Sequence, residues 1–169
     1  MKNIVLIGMP GCGKTTIGRI LAARTGRLFI DCDSILEEAA GLSIPEIFKQ
    51  EGEAGFRIRE TGVLQSLSIQ SDLVIATGGG CVTREENYTL LKRNGIIIFV
   101  ERDICQLARE GRPLSAGNLK DMYHHRLPLY RRFAGMTILN DGSADNTADK
   151  IYEQIISRNS NAILPELVI

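Results

Sequence analysis

The chain has 169 residues, enough for one domain with a sizeable core. Its 20 basic and 20 acidic residues cancel, so no global field draws it to nucleic acid or to a membrane surface, and any anion site must be built locally. Aromatic residues make up 5% with no Trp, which argues against the base-stacking surfaces of single-strand binders, and no apolar run approaches membrane-spanning length.

Met1-Lys2 leads straight into a strand, with no signal-peptide pattern expected. Cys12, Cys32, Cys81 and Cys105 lack close metal-type spacing, so a reduced, cytoplasmic chain is the simplest expectation. The first apolar run, Asn3-Ile4-Val5-Leu6-Ile7, suits a buried parallel strand. It feeds Gly8-Met9-Pro10-Gly11-Cys12-Gly13-Lys14-Thr15, which has the spacing of a P-loop: glycine, four residues, glycine, lysine, hydroxyl. Ile17, Ile20, Leu21 and Arg24 then recur at helical spacing. A strand, a glycine-rich turn and a helix start aim several backbone N–H groups at one point, which will hold phosphate. The expected nucleotide contacts are Gly11, Cys12, Gly13, Lys14, Thr15 and Thr16. Lys14 would bring a point charge to the outer phosphates and Thr15 a hydroxyl for Mg²⁺.

The next strand, Leu28-Phe29-Ile30, runs into Asp31-Cys32-Asp33. On an extended segment Asp31 and Asp33 project to one side, suited to holding Mg²⁺ through water and to taking a proton from an attacking hydroxyl. The other role open to Asp33 is capping a helix from Ser34, which Gly41 would end. Ser43-Ile44-Pro45-Glu46 reads as a capping box, Gly52 as a break, and Glu53 to about Leu67 as a longer helix. There Phe56, Arg57 and Glu60 share a face, either solvated or with Arg57 aimed at a substrate carboxylate and held by Glu60. A third strand, Leu73 to Thr77, ends in Gly78-Gly79-Gly80, where a ligand can approach the backbone. A helix follows from about Arg84 to Asn94, then a strand from Ile96 to Val100 and a helix from Asp103 to near Glu110. Gly111 to Asn118 is a loop of lid length carrying Arg112. Leu119 to Arg126 reads as helical, with Pro128 starting a further helix. Met136 to Asn140 is a fifth strand, and Asn146 or Thr147 would cap a last helix to about Ser157. The expected organisation is a single domain over residues 1–169, with a lid at about 109–118 and an apolar tail at about 158–169 that packs on the domain or on another subunit.

Taken as an ordered set, these strings resemble the shikimate kinase family over residues 1 to about 157. The set is the P-loop, Asp31-Cys32-Asp33, Ser43 to Phe48, Gly52-Glu53, Phe56-Arg57 with Glu60, the triple glycine, Arg112-Pro113-Leu114 and Arg126-Leu127-Pro128-Leu129-Tyr130. The resemblance implies a three-layer α/β/α P-loop NTPase fold with a five-stranded parallel sheet, of the nucleoside-monophosphate-kinase-like group. It also implies phosphoryl transfer from MgATP to the 3-hydroxyl of shikimate, in aromatic amino-acid biosynthesis. By position, Lys14 resembles the lysine on the transferring phosphate, Thr15 the Mg²⁺ ligand, and Asp31 the residue supporting the metal through water. Asp33 resembles the base and partner of the acceptor hydroxyls. Arg57 and Arg126 resemble the carboxylate clamp, with Gly78, Gly79 and Gly80 along the ring. Phe48 and Phe56 would wall the pocket, Glu60 would orient its polar groups, Arg112 would be the lid arginine, and Arg109 would stack on adenine.

This chain departs from the family pattern in several places: only Glu110 and Gly111 separate Arg109 from Arg112, the segment from Leu114 to Arg126 is shorter than usual, Ser115 replaces a common apolar residue, and Ser143 stands where many members carry a basic or other adenine-contacting side chain. The expected substrates are shikimate and ATP, without nucleic acid or membrane, on a monomer. A kinase for another small polyol acid such as gluconate, and a non-catalytic nucleotide-binding module, are the alternatives.

Overall fold

The computed structural model describes residues 1–107 and 116–161. Arg109, Arg112, most of the expected lid and the tail beyond residue 161 lie outside the described residues. Five strands, β1 (Asn3–Ile7), β2 (Leu28–Asp31), β3 (Leu73–Ala76), β4 (Gly95–Glu101) and β5 (Met136–Leu139), form one sheet in the order β2-β3-β1-β4-β5. Every pairing is parallel; Ile4 of β1 faces Val74 of β3 on one side and Ile96 of β4 on the other. Helices cover both sides of the sheet, so its central strands are apolar throughout: Ile4, Val5, Leu6 and Ile7 are all buried. The five-stranded parallel α/β architecture is the expected one.

Parallel strands joined by helical crossovers present all their carboxyl ends along one edge of the sheet. That edge collects Gly8 after β1, Asp31 at the end of β2, Thr77 and the three glycines after β3, Arg102 after β4 and Asn140 after β5. The chain order therefore gathers residues scattered over more than a hundred positions into one crevice. Gly8 is required there, because a Cβ on it would lie 2.6 Å from the Val100 carbonyl oxygen and its φ is +149°.

The helices follow local rules, with several boundaries shifted from expectation. After α1 (Lys14–Thr25), α2 (Cys32–Ala40) begins one residue past β2, so Asp33 is helical and does not share an extended run with Asp31. Asp31 caps α2 instead, its carboxylate accepting the Asp33 N–H at 3.1 Å. The capping box holds: Glu46 accepts from both the Ser43 N–H and hydroxyl, opening α3 (Ile44–Ser68). Gly52 breaks the helical path as expected, at φ 67° and ψ −174°, so that α3 comprises two helical stretches joined across a kink. A 3₁₀ turn (Cys81–Thr83) and α4 (Glu85–Arg93) follow, and Gly95 opens β4 without capping α4.

Beyond α5 (Ile104–Leu107), α6 (Ala116–Phe133) runs through Pro128, where a fresh helix start was expected. Pro128 is exposed, so the carbonyl one turn earlier, left without its helical N–H partner, can turn to water. In α7 (Ala144–Asn161) the cap is Ser143, whose Oγ accepts the Asn146 N–H at 3.1 Å, so neither Asn146 nor Thr147 is the cap.

Candidate active site

The strand ends enclose a cleft of about 350 Å³, lined by Gly11, Gly13, Lys14, Thr15 and Thr16 on one wall and Asp31, Asp33 and Glu37 on the other. Pro10, Ser34, Thr77 and Gly79 complete it. Gly13 adopts φ 98°, directly before α1, so the turn and the first amides of the helix face the same space. Lys14 is buried, and its Nζ donates to the Gly8 and Met9 carbonyls at 2.9 Å each. This arrangement sets an ammonium group within the phosphate loop. Cys12 lies beneath the loop as a fully buried core residue, absent from the cleft wall.

Thr15 Oγ1 donates to Asp31 Oδ2 at 2.8 Å. The hydroxyl and the carboxylate thus meet beside the phosphate cradle. Two hard oxygen donors from the protein, with the remaining positions left to phosphate and water, suit Mg²⁺. No cluster of three or more potential metal-ligating side chains occurs among the described residues.

Beside Asp33, across Gly78 and outside the cleft lining, lies a charged cluster. Arg57 Nη1 donates to Glu60 Oε2 at 2.8 Å, and its Nη2 to Glu53 Oε1 at 3.3 Å. The Glu60 side chain is 2% exposed and that of Arg57 12%. Burial raises the Glu60 carboxyl above its ordinary range, against the opposing pull of Arg57. Burial alone would lower the Arg57 guanidinium, but Glu60 beside it tips the balance upward. Both Arg57 Nε and Glu60 Oε1 are buried without a hydrogen-bond partner among the described residues. Such atoms ask for a ligand or an ordered water.

The glycines make this cluster possible. A Cβ on Gly78 would lie 2.5 Å from Glu60 Oε1 and 2.9 Å from Asp33 Oδ1; one on Gly80 would lie 2.1 Å from Arg57 Nη2. Neither needs an unusual φ, so they are glycines for closeness rather than for backbone freedom. Gly79 has the same constraint toward Pro10, with 2.6 Å to its Cδ.

Arg126, on α6 and half-buried, reaches Glu60 and Tyr130 electrostatically. Phe56 is buried and stacks on Phe48 at 4.6 Å between ring centres, with the Arg57 guanidinium 5.1 Å from the Phe56 ring. The cation and the aromatic pair thereby share one wall.

Most predicted residues therefore converge at two adjoining places, the phosphate cleft and the Arg57–Glu60 cluster, with Asp33 common to both. Two supports escaped sequence reasoning. Tyr130 Oη donates to the Gly79 carbonyl from a fully buried position, and burial pushes its pKa up. Asn140 donates to the Cys12 carbonyl at 2.9 Å. Tyr130 closes the Arg-Leu-Pro-Leu-Tyr string, and an aromatic ending so specific a run was the available signal. Asn140, at a strand's carboxyl end, was distinguished by position alone.

Comparison with known proteins identifies the family. The family profile described as "Shikimate kinase" matches residues 10–157. A curated shikimate kinase of Acinetobacter baumannii (strain AYE) is 44% identical over 168 residues, covering 93% of each chain. Among solved structures, shikimate kinase from Acinetobacter baumannii in complex with shikimate superposes with a TM-score of 0.88 at 43% identity, covering 94% of each chain. That from Aquifex aeolicus superposes with a TM-score of 0.82 at 31% identity, covering 96% of this chain and 99% of its own. With the P-loop, the aspartate pair and the Arg57–Glu60 cluster placed as they are, this chain belongs to the shikimate kinase family.

Proposed function

We propose that the chain transfers the γ-phosphoryl group of MgATP to the 3-hydroxyl of shikimate, giving shikimate 3-phosphate and ADP. The observation that carries this reading is the position of Asp33, whose side chain lines the phosphate cleft while its Oδ1 comes within contact of Gly78 beside the buried Arg57–Glu60 pair. One carboxylate thus stands between a triphosphate site and a site built for a small anion. The solved relative that holds shikimate has the same fold over nearly the whole chain.

In this reading Asp33 orients the acceptor hydroxyl and takes its proton as the oxygen attacks the γ-phosphorus and the bond to ADP breaks. Phosphoryl transfer asks for alignment and positive charge more than for covalent help. Lys14 supplies charge beside the phosphates, and amides of Gly11, Gly13 and Thr16 with the α1 terminus cradle them, whereas the Cys12 N–H donates to the Met9 carbonyl at 3.2 Å. Thr15 and Asp31 would hold Mg²⁺, which neutralises charge on the phosphate oxygens when bound. Arg57 and Arg126 would clamp the acceptor carboxylate through planar forks, with Glu60 fixing the orientation of Arg57. Phe48 and Phe56 wall the ring, and Gly78 to Gly80 let it approach the backbone. Arg109 and Arg112 are assigned to adenine and to the lid from their sequence positions alone. A monomeric single domain in the cytoplasm completes the reading; Cys12, Cys32, Cys81 and Cys105 are free thiols.

Incubation with MgATP and shikimate, followed by ³¹P NMR of the products, tests the reaction. A new phosphomonoester on the ring 3-oxygen is expected. Hydrolysis of ATP to phosphate with unmodified shikimate would overturn it.

Gly80→Ala offers a finer check. The added methyl falls on the Arg57 guanidinium, the movable end of a long side chain, so the fold adapts by displacing Arg57. The expected result is a loss of about 10- to 100-fold in kcat/KM for shikimate, as for a misplaced positioning group, with KM for ATP unchanged. Circular dichroism should show a native fold.

A further inference from the structure

The phosphate loop is held from behind by a residue that lies outside the cleft lining. Asn140, just past β5, is 6% exposed, and its Nδ2 donates to the Cys12 carbonyl at 2.9 Å across 128 positions of sequence. The same Nδ2 would lie 2.9 Å from a Cβ built on Gly13, so the amide also packs directly against that glycine. The amide cannot turn over freely. The Cys12 carbonyl can only accept, so Nδ2 is the atom facing the loop. Oδ1, on the other side, lies 2.8 Å from the Oγ1 of Thr147, on α7 and 1% exposed, and shares that hydroxyl's one hydrogen with the Ser143 carbonyl at 3.1 Å. On the neighbouring strand end, Arg102 Nη1 donates to the Gly11 carbonyl at 3.1 Å.

These contacts act on peptide planes. The Cys12 carbonyl and the Gly13 N–H belong to one trans peptide and point in opposite directions. A donor that fixes the carbonyl behind the loop therefore fixes the N–H toward the other side, where Gly13 lines the cleft. A phosphate cradle made of amides depends on such alignment, because the amides carry no side chain to adjust.

We propose that Asn140 is a positioning residue for the nucleotide phosphates: held by Thr147, it sets the Cys12–Gly13 peptide so that the Gly13 N–H faces the cradle. This rests on the reading of the cleft as a triphosphate site. It adds a part of the β5–α7 connection to the phosphate machinery, with no requirement that Asn140 touch the nucleotide.

The test uses Asn140→Leu, close in size but without a donor, Thr147→Val, which removes only the hydroxyl, and the double variant. MgADP and shikimate binding are measured by calorimetry on the whole chain. Inhibition by magnesium tripolyphosphate, which has no base, is measured against ATP. Asn140→Leu is expected to weaken MgADP about tenfold, one net hydrogen bond plus misalignment, with shikimate affinity within about twofold of wild type. Tripolyphosphate inhibition should weaken by the same factor as MgADP binding. Thr147→Val should give a smaller loss of the same kind, and the double variant should be no weaker than Asn140→Leu alone, because Thr147 acts through Asn140. If Asn140→Leu does not fold, the Thr147→Val result decides, since that residue makes no contact with the loop itself in the observed hydrogen bonds.

Unchanged MgADP affinity, equal losses for MgADP and shikimate, additive losses in the double variant, or tripolyphosphate inhibition that is absent in wild type or unaffected by the substitution would each overturn the proposal. A wild-type protein that binds no MgADP would instead overturn the triphosphate reading, and the proposal with it. Failure of wild type to bind shikimate alone would count against the acceptor assignment and leave the nucleotide comparison intact.

Discussion

Replacing Asp33 with Asn is expected to lower kcat for shikimate phosphorylation by about 10²- to 10⁴-fold, the usual range for a lost general base, while MgADP affinity stays near wild type. The substitution preserves shape and hydrogen-bonding reach but removes the proton acceptor. Asp33 sits in the first turn of α2, and the residue that caps the helix and meets Thr15 is Asp31. Removing the Asp33 charge therefore leaves the Thr15–Asp31 pair and the phosphate loop in place. Steady-state kinetics with calorimetry on the same preparation check the separation. Loss of MgADP binding in step with turnover would assign Asp33 to the nucleotide instead.

The second large effect is expected at Arg57. Arg57→Ala should raise the KM for shikimate about 100-fold, in line with the loss of charge-assisted bonds to a carboxylate, with MgADP affinity unchanged in the folded protein. The same change strands Glu60. Its carboxylate is 2% exposed and its strongest partner is Arg57, so the variant should also lose about 3–5 kcal/mol of stability, the cost of breaking a buried pair from one side. Binding must accordingly be measured well below the lowered Tm. Arg57→Lys keeps the charge without the planar fork and should fall between wild type and Ala in shikimate affinity. If Arg57→Ala binds shikimate as tightly as wild type, the clamp does not include Arg57.

The contrast between these residues also shows what a sequence can carry. The phosphate loop was legible because its geometry is written in adjacent residues: apolar strand, glycines, lysine, hydroxyl. The capping box at Ser43 and Glu46 was legible for the same reason. Asp33 was legible as a residue facing the phosphate loop, and it lines the cleft, although its setting was not legible, since Asp31 took the role of cap and drew the helix start forward. The triple glycine signalled a close approach, yet only tertiary packing shows that what approaches Gly80 is the Arg57 side chain. Pro128 misled because the exposed side of a long helix can forgo one hydrogen bond. Asn140 and Tyr130 stayed hidden because their contacts, with Cys12 and Gly79, depend on how elements distant in sequence pack along one edge of the sheet. Local pattern specifies elements and short motifs. The supports behind a motif come from topology.

The most direct test of the central claim is ADP release coupled to NADH oxidation, with MgATP and either shikimate, quinate, gluconate or no acceptor. The account predicts turnover that depends strongly on shikimate, is weak with the other acids and near the no-acceptor level with gluconate. Equal ADP release with every acceptor, or a preference for gluconate, would contradict it.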